Sequence, residues 1–124
     1  MNYESSSRLP RTDDFYWKQE YSAILTYIQH HYTEATLEDV SRAFHYNARQ
    51  ISRIVKNSLG LTYTQLVMKL KMEKAAELLD RGNISIPAIS HLLGYSDPSS
   101  FYHAFTSYYY MKTPRTFSER QASI

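Results

Sequence analysis

Apolar residues recur at helical intervals along most of the chain. Tyr21, Ile24, Leu25, Ile28 and Tyr32 return every three or four positions and predict a first amphipathic helix, with order beginning near Phe15. Thr36, followed by Leu37, Glu38 and Asp39, has the form of an N-cap with acids in the first turn, and predicts a short helix through Phe44. His45 and Tyr46 interrupt the pattern. Asn47 then caps a third helix with Ile51, Ile54 and Val55 on its apolar side, closed by Gly60. From Thr62 a long helix is predicted to about Asp80, with Leu66, Val67, Leu70, Ala75, Leu78 and Leu79 inward and Arg81-Gly82-Asn83 ending it. Ser85 caps a fifth helix holding Ile86, Ile89, Leu92 and Leu93, and Gly94 makes a turn. A sixth helix starts near Pro98, where proline is tolerated in the first turn, and Thr113-Pro114 open a seventh through about Gln121. Strand-like alternation is absent. The expectation is an all-α domain of about seven helices.

A repeat runs through these elements. VSRAFHY at 40–46 matches ISHLLGY at 89–95 with an offset of 49, and ISRIVKN at 51–57 matches FYHAFTS at 101–107 with an offset of 50. Each copy is a short helix, a turn and a longer helix, the arrangement of a helix-turn-helix. The expected organisation follows: a linker or disordered lead-in at 1–14, which is polar, contains Pro10 and has no period; a first helix-turn-helix unit at 15–61; a central connecting helix at 62–81; a second unit at 82–121; and a tail at 122–124.

In a helix-turn-helix the exposed side of the second helix enters the major groove of DNA while the first helix braces it. The first copy carries suitable groups there. Arg49 and Arg53 are one helical turn apart, so their guanidinium forks point the same way, and each can bond the two acceptors of a guanine edge. Gln50 is a candidate reader of adenine, Ser52 a donor to base or phosphate, and Lys56 a phosphate contact. Through the repeat these positions become Ser99, Ser100, Tyr102, His103 and Thr106, with no Lys or Arg between Asp97 and Met111. Serines at a helix N-terminus can still bond phosphate or base, and Tyr102 and His103 can touch a thymine methyl or donate to a base edge. The second copy therefore releases few counterions and is expected to supply specificity or positioning more than affinity. The central helix, about 18 residues at about 1.5 Å each, spans roughly 27 Å. With its flanking turns it can hold the reading helices about one DNA turn, roughly 34 Å, apart.

Composition narrows the alternatives. The 124 residues suffice for one domain or two very small ones sharing a core. Net charge is only +2, but from Asn47 to Lys74 six cations (Arg49, Arg53, Lys56, Lys69, Lys71, Lys74) face the single anion Glu73, and this polarity suits a polyanion. There is no cysteine, hence no disulfide, thiol chemistry or Cys-type zinc site. No apolar run approaches the roughly 20 residues of a membrane span, and residues 1–20 lack a signal-peptide core, so a cytoplasmic protein with no membrane partner is expected. The twelve tyrosines fall mostly where a helix places half-buried residues, which assigns them to packing. The five histidines (His30, His31, His45, His91, His103) form no metal or catalytic pattern with carboxylates, and no glycine-rich phosphate loop occurs, which argues against an enzyme, a metal site or a cofactor. His30-His31 is placed at a helix end, where its charge suits the dipole. The rival reading is a helical protein-interaction module whose second unit has lost DNA, with Tyr108-Tyr109-Tyr110-Met111 as its aromatic patch or packed against the seventh helix.

Residues from about 17 to 121 resemble the DNA-binding domain of AraC/XylS-type transcription regulators. The resemblance rests on LEDVSRAFHYNARQISRIVKNSLGLT at 37–62, LVMKLKMEKAAELL at 66–79, and IPAISHLLGYSDPSSFYHAF at 86–105 followed by Thr113-Pro114. It implies sequence-specific binding of bacterial promoter double-stranded DNA and activation through RNA polymerase. By position it implies base-facing roles for Arg49, Ser52, Arg53, Ser99, Tyr102 and His103. The chain departs from the pattern after Phe105, where Thr106 and Ser107 replace basic residues and Tyr110 stands at a usual glycine, with one residue inserted before Pro114. Lys71 also replaces an arginine common in the long helix. Members usually carry an effector-sensing or dimerisation domain that is missing here, and a small stand-alone regulator and a domain cut from a longer protein both fit the linker-like start.

Overall fold

The computed structural model of the chain describes residues 12–109, with side chains from residue 19 onward. Six helices make up the described residues: α1 (Thr12–His31), α2 (Leu37–Phe44), α3 (Ala48–Leu59), α4 (Tyr63–Arg81), α5 (Ile86–Leu92) and α6 (Pro98–Tyr108). The first begins at Thr12, three residues ahead of the expected Phe15. The expected seventh helix, 113–121, lies outside the described residues.

Local chemistry fixes the helix ends. Thr36, Asn47 and Thr62 each accept a bond from the backbone N–H three residues on, while Asp39, Gln50 and Gln65 return one from the cap residue's own N–H. These reciprocal pairs satisfy two donors that an α-helix leaves unpaired at its start. Ser85 and Asp97 cap α5 and α6 in the simpler way, each with a proline in the first turn. At the other ends, Gly60 and Gly82 close α3 and α4 in the left-handed conformation.

Two apolar cores are built on opposite ends of α4. The first joins Ile24 and Ile28 of α1, Val40 of α2, Ile51, Ile54 and Val55 of α3, and Leu66 of α4. The second joins Met72, Ala75, Leu78 and Leu79 of α4 to Ile89 and Leu93 from the α5 segment and Phe101 and Phe105 of α6. Phe101 and Phe105 are wholly buried and stack edge-on at 5.8 Å. Each such side chain contributes about 1.5–3 kcal/mol by burial. Met72, which the apolar spacing did not single out, is also wholly buried, whereas Val67 and Leu70 are only half-buried. Tyr108 and Tyr109 pack against the second core, with the Tyr109 hydroxyl donating to the Met72 carbonyl at 3.1 Å, so this part of the tyrosine run is packing rather than an open patch.

The repeat is visible in three dimensions. In both copies the turn residue has a positive φ, 60° at His45 and 87° at Gly94, and the tyrosine after it donates its N–H to a serine carbonyl five residues back, Tyr46 to Ser41 and Tyr95 to Ser90, both at 3.1 Å. Ser41 and Ser90 also turn their hydroxyls back to backbone carbonyls, those of Tyr46 and Asp97. Ser90 is almost fully buried, so this bond satisfies a group that would otherwise oppose folding.

Candidate nucleic-acid interface

At about 100° per residue, Arg49, Arg53 and Lys56 fall within roughly 60° of arc on α3. That arc points away from Ile51, Ile54 and Val55, and all three cations are exposed. Arg49 and Arg53 have no carboxylate partner among the described residues. The other cations of the basic stretch are engaged: Lys69 pairs with Glu73, Lys74 with Glu77, and Lys71 is half-buried with its Nζ 4.6 Å from the centre of the Tyr95 ring. Burial pushes the Lys71 ammonium below the usual lysine value. The charge excess noted in the sequence is thereby concentrated on one face of α3. Lys56 donates to the Gly60 carbonyl at 3.1 Å, closing its own helix while keeping two N–H donors for a further anion.

Two of the proposed readers of α3 sit differently from the sequence expectation. Gln50 gives its carboxamide oxygen to the Asn47 N–H at 2.9 Å, and Asn47 accepts the Gln50 N–H at 2.8 Å. A two-bond contact with adenine needs that oxygen, so in this conformation Gln50 serves the helix start rather than a base. Its N-x-x-Q spacing is itself the signal of a reciprocal cap. Ser52 is half-buried at the shoulder of the arc and faces an open cleft of about 630 Å³ beside Arg53 and Lys56, walled also by Leu37 and Tyr63.

On α6 the matching arc holds Ser99, Tyr102 and His103, all exposed, with Tyr102 39% exposed despite its size. Ser100 is also exposed but is held by Asp97, whose carboxylate accepts the Ser100 N–H at 2.8 Å and its hydroxyl at 3.3 Å. Accepting that backbone N–H, helped by the Ser100 hydroxyl, holds the Asp97 carboxyl below the usual aspartate value. The Thr36 backbone N–H does the same for Asp39 at the start of α2. Thr106 departs from its expected role. It is half-buried, and its hydroxyl oxygen is buried without a hydrogen-bond partner among the described residues, whereas Lys56 at the matching position of the first unit is exposed. Among the described residues no group of three or more His, Asp or Glu side chains could hold a metal ion, and no helix is long and apolar enough to cross a membrane.

The first helix-turn-helix is braced from behind. The Tyr46 hydroxyl donates to Glu20 of α1 at 2.7 Å, and that bond, with a smaller contribution from burial, pushes the phenol up to about 12. His31 meets Glu34 at 2.6 Å just past the end of α1, and this bond holds the Glu34 carboxyl low.

Comparison with known proteins agrees with this geometry. A helix-turn-helix domain family matches residues 40–120. YisR, an HTH-type transcriptional regulator of Bacillus subtilis, is 35% identical over 80 residues, which is 64% of this chain. The match takes in 28% of YisR, so the chain spans little more than a quarter of that relative's length. Among solved structures, the C-terminal domain of AraT, a response regulator from Geobacillus stearothermophilus, superposes with a TM-score of 0.75 at 30% identity, over 81% of this chain and 84% of that one. The DNA-binding domain of AdpA, solved with a target DNA, shares the fold with a TM-score of 0.75 at 13% identity, over 83% and 93%. With its two helix-turn-helix units hung on one connecting helix, the chain belongs to the AraC-type helix-turn-helix family.

Proposed function

We propose that this chain binds double-stranded promoter DNA in a sequence-specific way and regulates transcription, with α3 in one major groove and α6 in the next. One observation carries the reading: Arg49 and Arg53 are exposed, one turn apart, and without a carboxylate partner among the described residues, on the second helix of a helix-turn-helix. Such forks suit guanine edges, and Lys56 at the end of the same stripe suits phosphate. The regulator names of relatives such as YisR and the DNA bound to AdpA point the same way. In this reading 15–61 and 82–121 are the two reading units, and α4, 19 residues and roughly 28 Å long, spaces them. Ser99, Tyr102 and His103 refine sequence choice, and Ser100 supports them from the first turn of α6. Activation through RNA polymerase, action in the bacterial cytoplasm, and control by an effector-sensing or dimerisation domain complete the proposal. It calls for no cofactor and no catalytic step.

A second reading keeps DNA on α3 alone and gives the second unit a protein partner. It is favoured by the lack of any Lys or Arg on α6 together with Leu92, 53% exposed on the neighbouring α5. One experiment separates the two: selection of bound duplexes from a random pool at physiological salt. Two enriched blocks about ten base pairs apart are expected for reading by both units. A single block supports the second reading, and no enrichment refutes sequence-specific binding.

A further inference from the structure

Gly94 and the loop between α1 and α2 meet more closely than any side chain would allow. A Cβ placed on Gly94 would stand 2.3 Å from the Thr33 carbonyl oxygen and 3.4 Å from its carbon. The contact is backbone against backbone, so neither side can yield by changing a rotamer. It joins the turn of the second helix-turn-helix to the segment that leads into the first. The loop is held on its other sides as well. Glu34 and Ala35 donate their N–H groups to the His31 carbonyl at 3.1 and 2.8 Å, the Tyr63 hydroxyl of α4 donates to the Ala35 carbonyl at 3.3 Å, and Tyr32 packs into the second core. The first unit therefore reaches across and grips the second at the turn that aims α6.

We infer that the contact of Gly94 with the Thr33 carbonyl, backed by Tyr32, is a specificity device: it fixes α6 relative to α3 and so sets which spacing of two DNA blocks this protein accepts. The inference rests on the reading of DNA by both units. The connecting helix fixes the distance between the units, and the side chains it gives to each core set their rotation about its axis only through contacts close to that axis, where a small shift swings α6 widely. This dock lies off that axis and supplies the second point of attachment. Gly94 is four residues before Pro98, the first residue of α6, so displacement of the turn is passed directly to the reading helix. Alanine at Gly94 must open the contact by about 1.1 Å before ordinary packing distance is regained.

The test uses duplexes carrying both selected blocks at a series of separations, and a duplex carrying only the block read by α3. Wild type is expected to show a sharp spacing optimum. Gly94→Ala is expected to lower the preference for that optimum over duplexes one base pair longer or shorter by tenfold or more, with affinity for the single-block duplex within twofold of wild type. Gly82→Ala is the control for strain, because Gly82 also has a positive φ, 73°, while a Cβ added there meets nothing within 4 Å, and it should keep the spacing optimum. Tyr32→Ala loosens the dock without a backbone clash and should broaden the optimum even if Gly94→Ala fails to fold. An unchanged spacing profile in folded Gly94→Ala, or in Tyr32→Ala, overturns the inference. If wild type itself binds the two-block duplex no better than the single block, the two-groove reading fails first, a different result from a wild-type optimum that survives both substitutions.

Discussion

Replacing Arg53 with alanine removes a fork that the fold does not use. Arg53 is exposed on α3 and has no carboxylate partner among the described residues, so the change in folding stability should stay within about 0.5 kcal/mol. On DNA the loss is larger. One two-bond contact to guanine is worth about 1–3 kcal/mol, and at about 1.4 kcal/mol per decade this predicts a roughly 5- to 140-fold weaker dissociation constant. The assay is fluorescence anisotropy with a labelled duplex containing the selected first block, run alongside a duplex in which the candidate guanine is replaced. Wild type should lose affinity on the altered duplex while the variant, already lacking the fork, loses little more; this non-additivity is the signature of a direct pair. Repeating the titration across salt concentrations separates a second possibility. A guanidinium bound to phosphate would weaken all duplexes alike and reduce the salt slope by about 0.9. Unchanged binding by a folded Arg53→Ala protein refutes the placement of α3 in the groove, and equal loss on both duplexes refutes base reading by this residue.

Other outcomes follow from the same structure. Met72→Ala, which empties a wholly buried position in the second core, should destabilise the protein by about 2–5 kcal/mol in urea unfolding. A cost below about 1 kcal/mol would contradict its central place there. Gln50→Ala should lower stability by no more than about 1 kcal/mol through loss of the reciprocal cap, and leave the selected DNA blocks unchanged. An adenine that disappears from the first block would show that Gln50 leaves its cap to read. The carboxyls of Asp39 and Asp97 are held below the ordinary value of 3.8, so each stabilises the fold fully above that value and loses the contribution as pH falls through its lower folded value. Asp97→Asn retains a capping side chain without the charge and should flatten this acid limb in melting curves taken below pH 4; an unchanged limb would count against the cap as its source.

What the sequence disclosed was the local part of this design. Thr36, Asn47, Thr62 and Ser85 mark helix starts through bonds spanning three residues, and Gly60 and Gly82 mark ends through backbone geometry that glycine alone adopts freely. The two-unit repeat was legible for the same reason, since each helix-turn-helix is stabilised mostly within itself. Met72 escaped because α4 changes partners along its length. Leu66 and Met72 are six residues apart, roughly 240° around the helix at about 100° per residue, so they define no single apolar stripe. The grip of Thr33 on Gly94 crosses 61 positions of sequence and involves only backbone atoms on one side and hydrogens on the other, which leaves no pattern to read. At the site, the charges of Arg49 and Arg53 were evident, but whether they were spent on neighbouring carboxylates was not. Thr106 is half-buried where Lys56 is exposed, a difference that matching the two copies position by position does not reveal.

The division of α4 between two cores also bears on how the protein is made. During synthesis the first core can close as soon as Leu66 has emerged, but Met72, Ala75, Leu78 and Leu79, emerging next, present an apolar side whose cover has not yet left the ribosome. From Leu79 to Phe105 the ribosome must add about 26 residues, which takes roughly 1–5 s at about 5–20 residues per second. For that interval the nascent chain is a folded head trailing an uncovered greasy rod. Ribosome-bound chains stalled so that the sequence has left the exit tunnel as far as residues 85–100 should therefore be better clients for a chaperone than chains with less or more of it exposed.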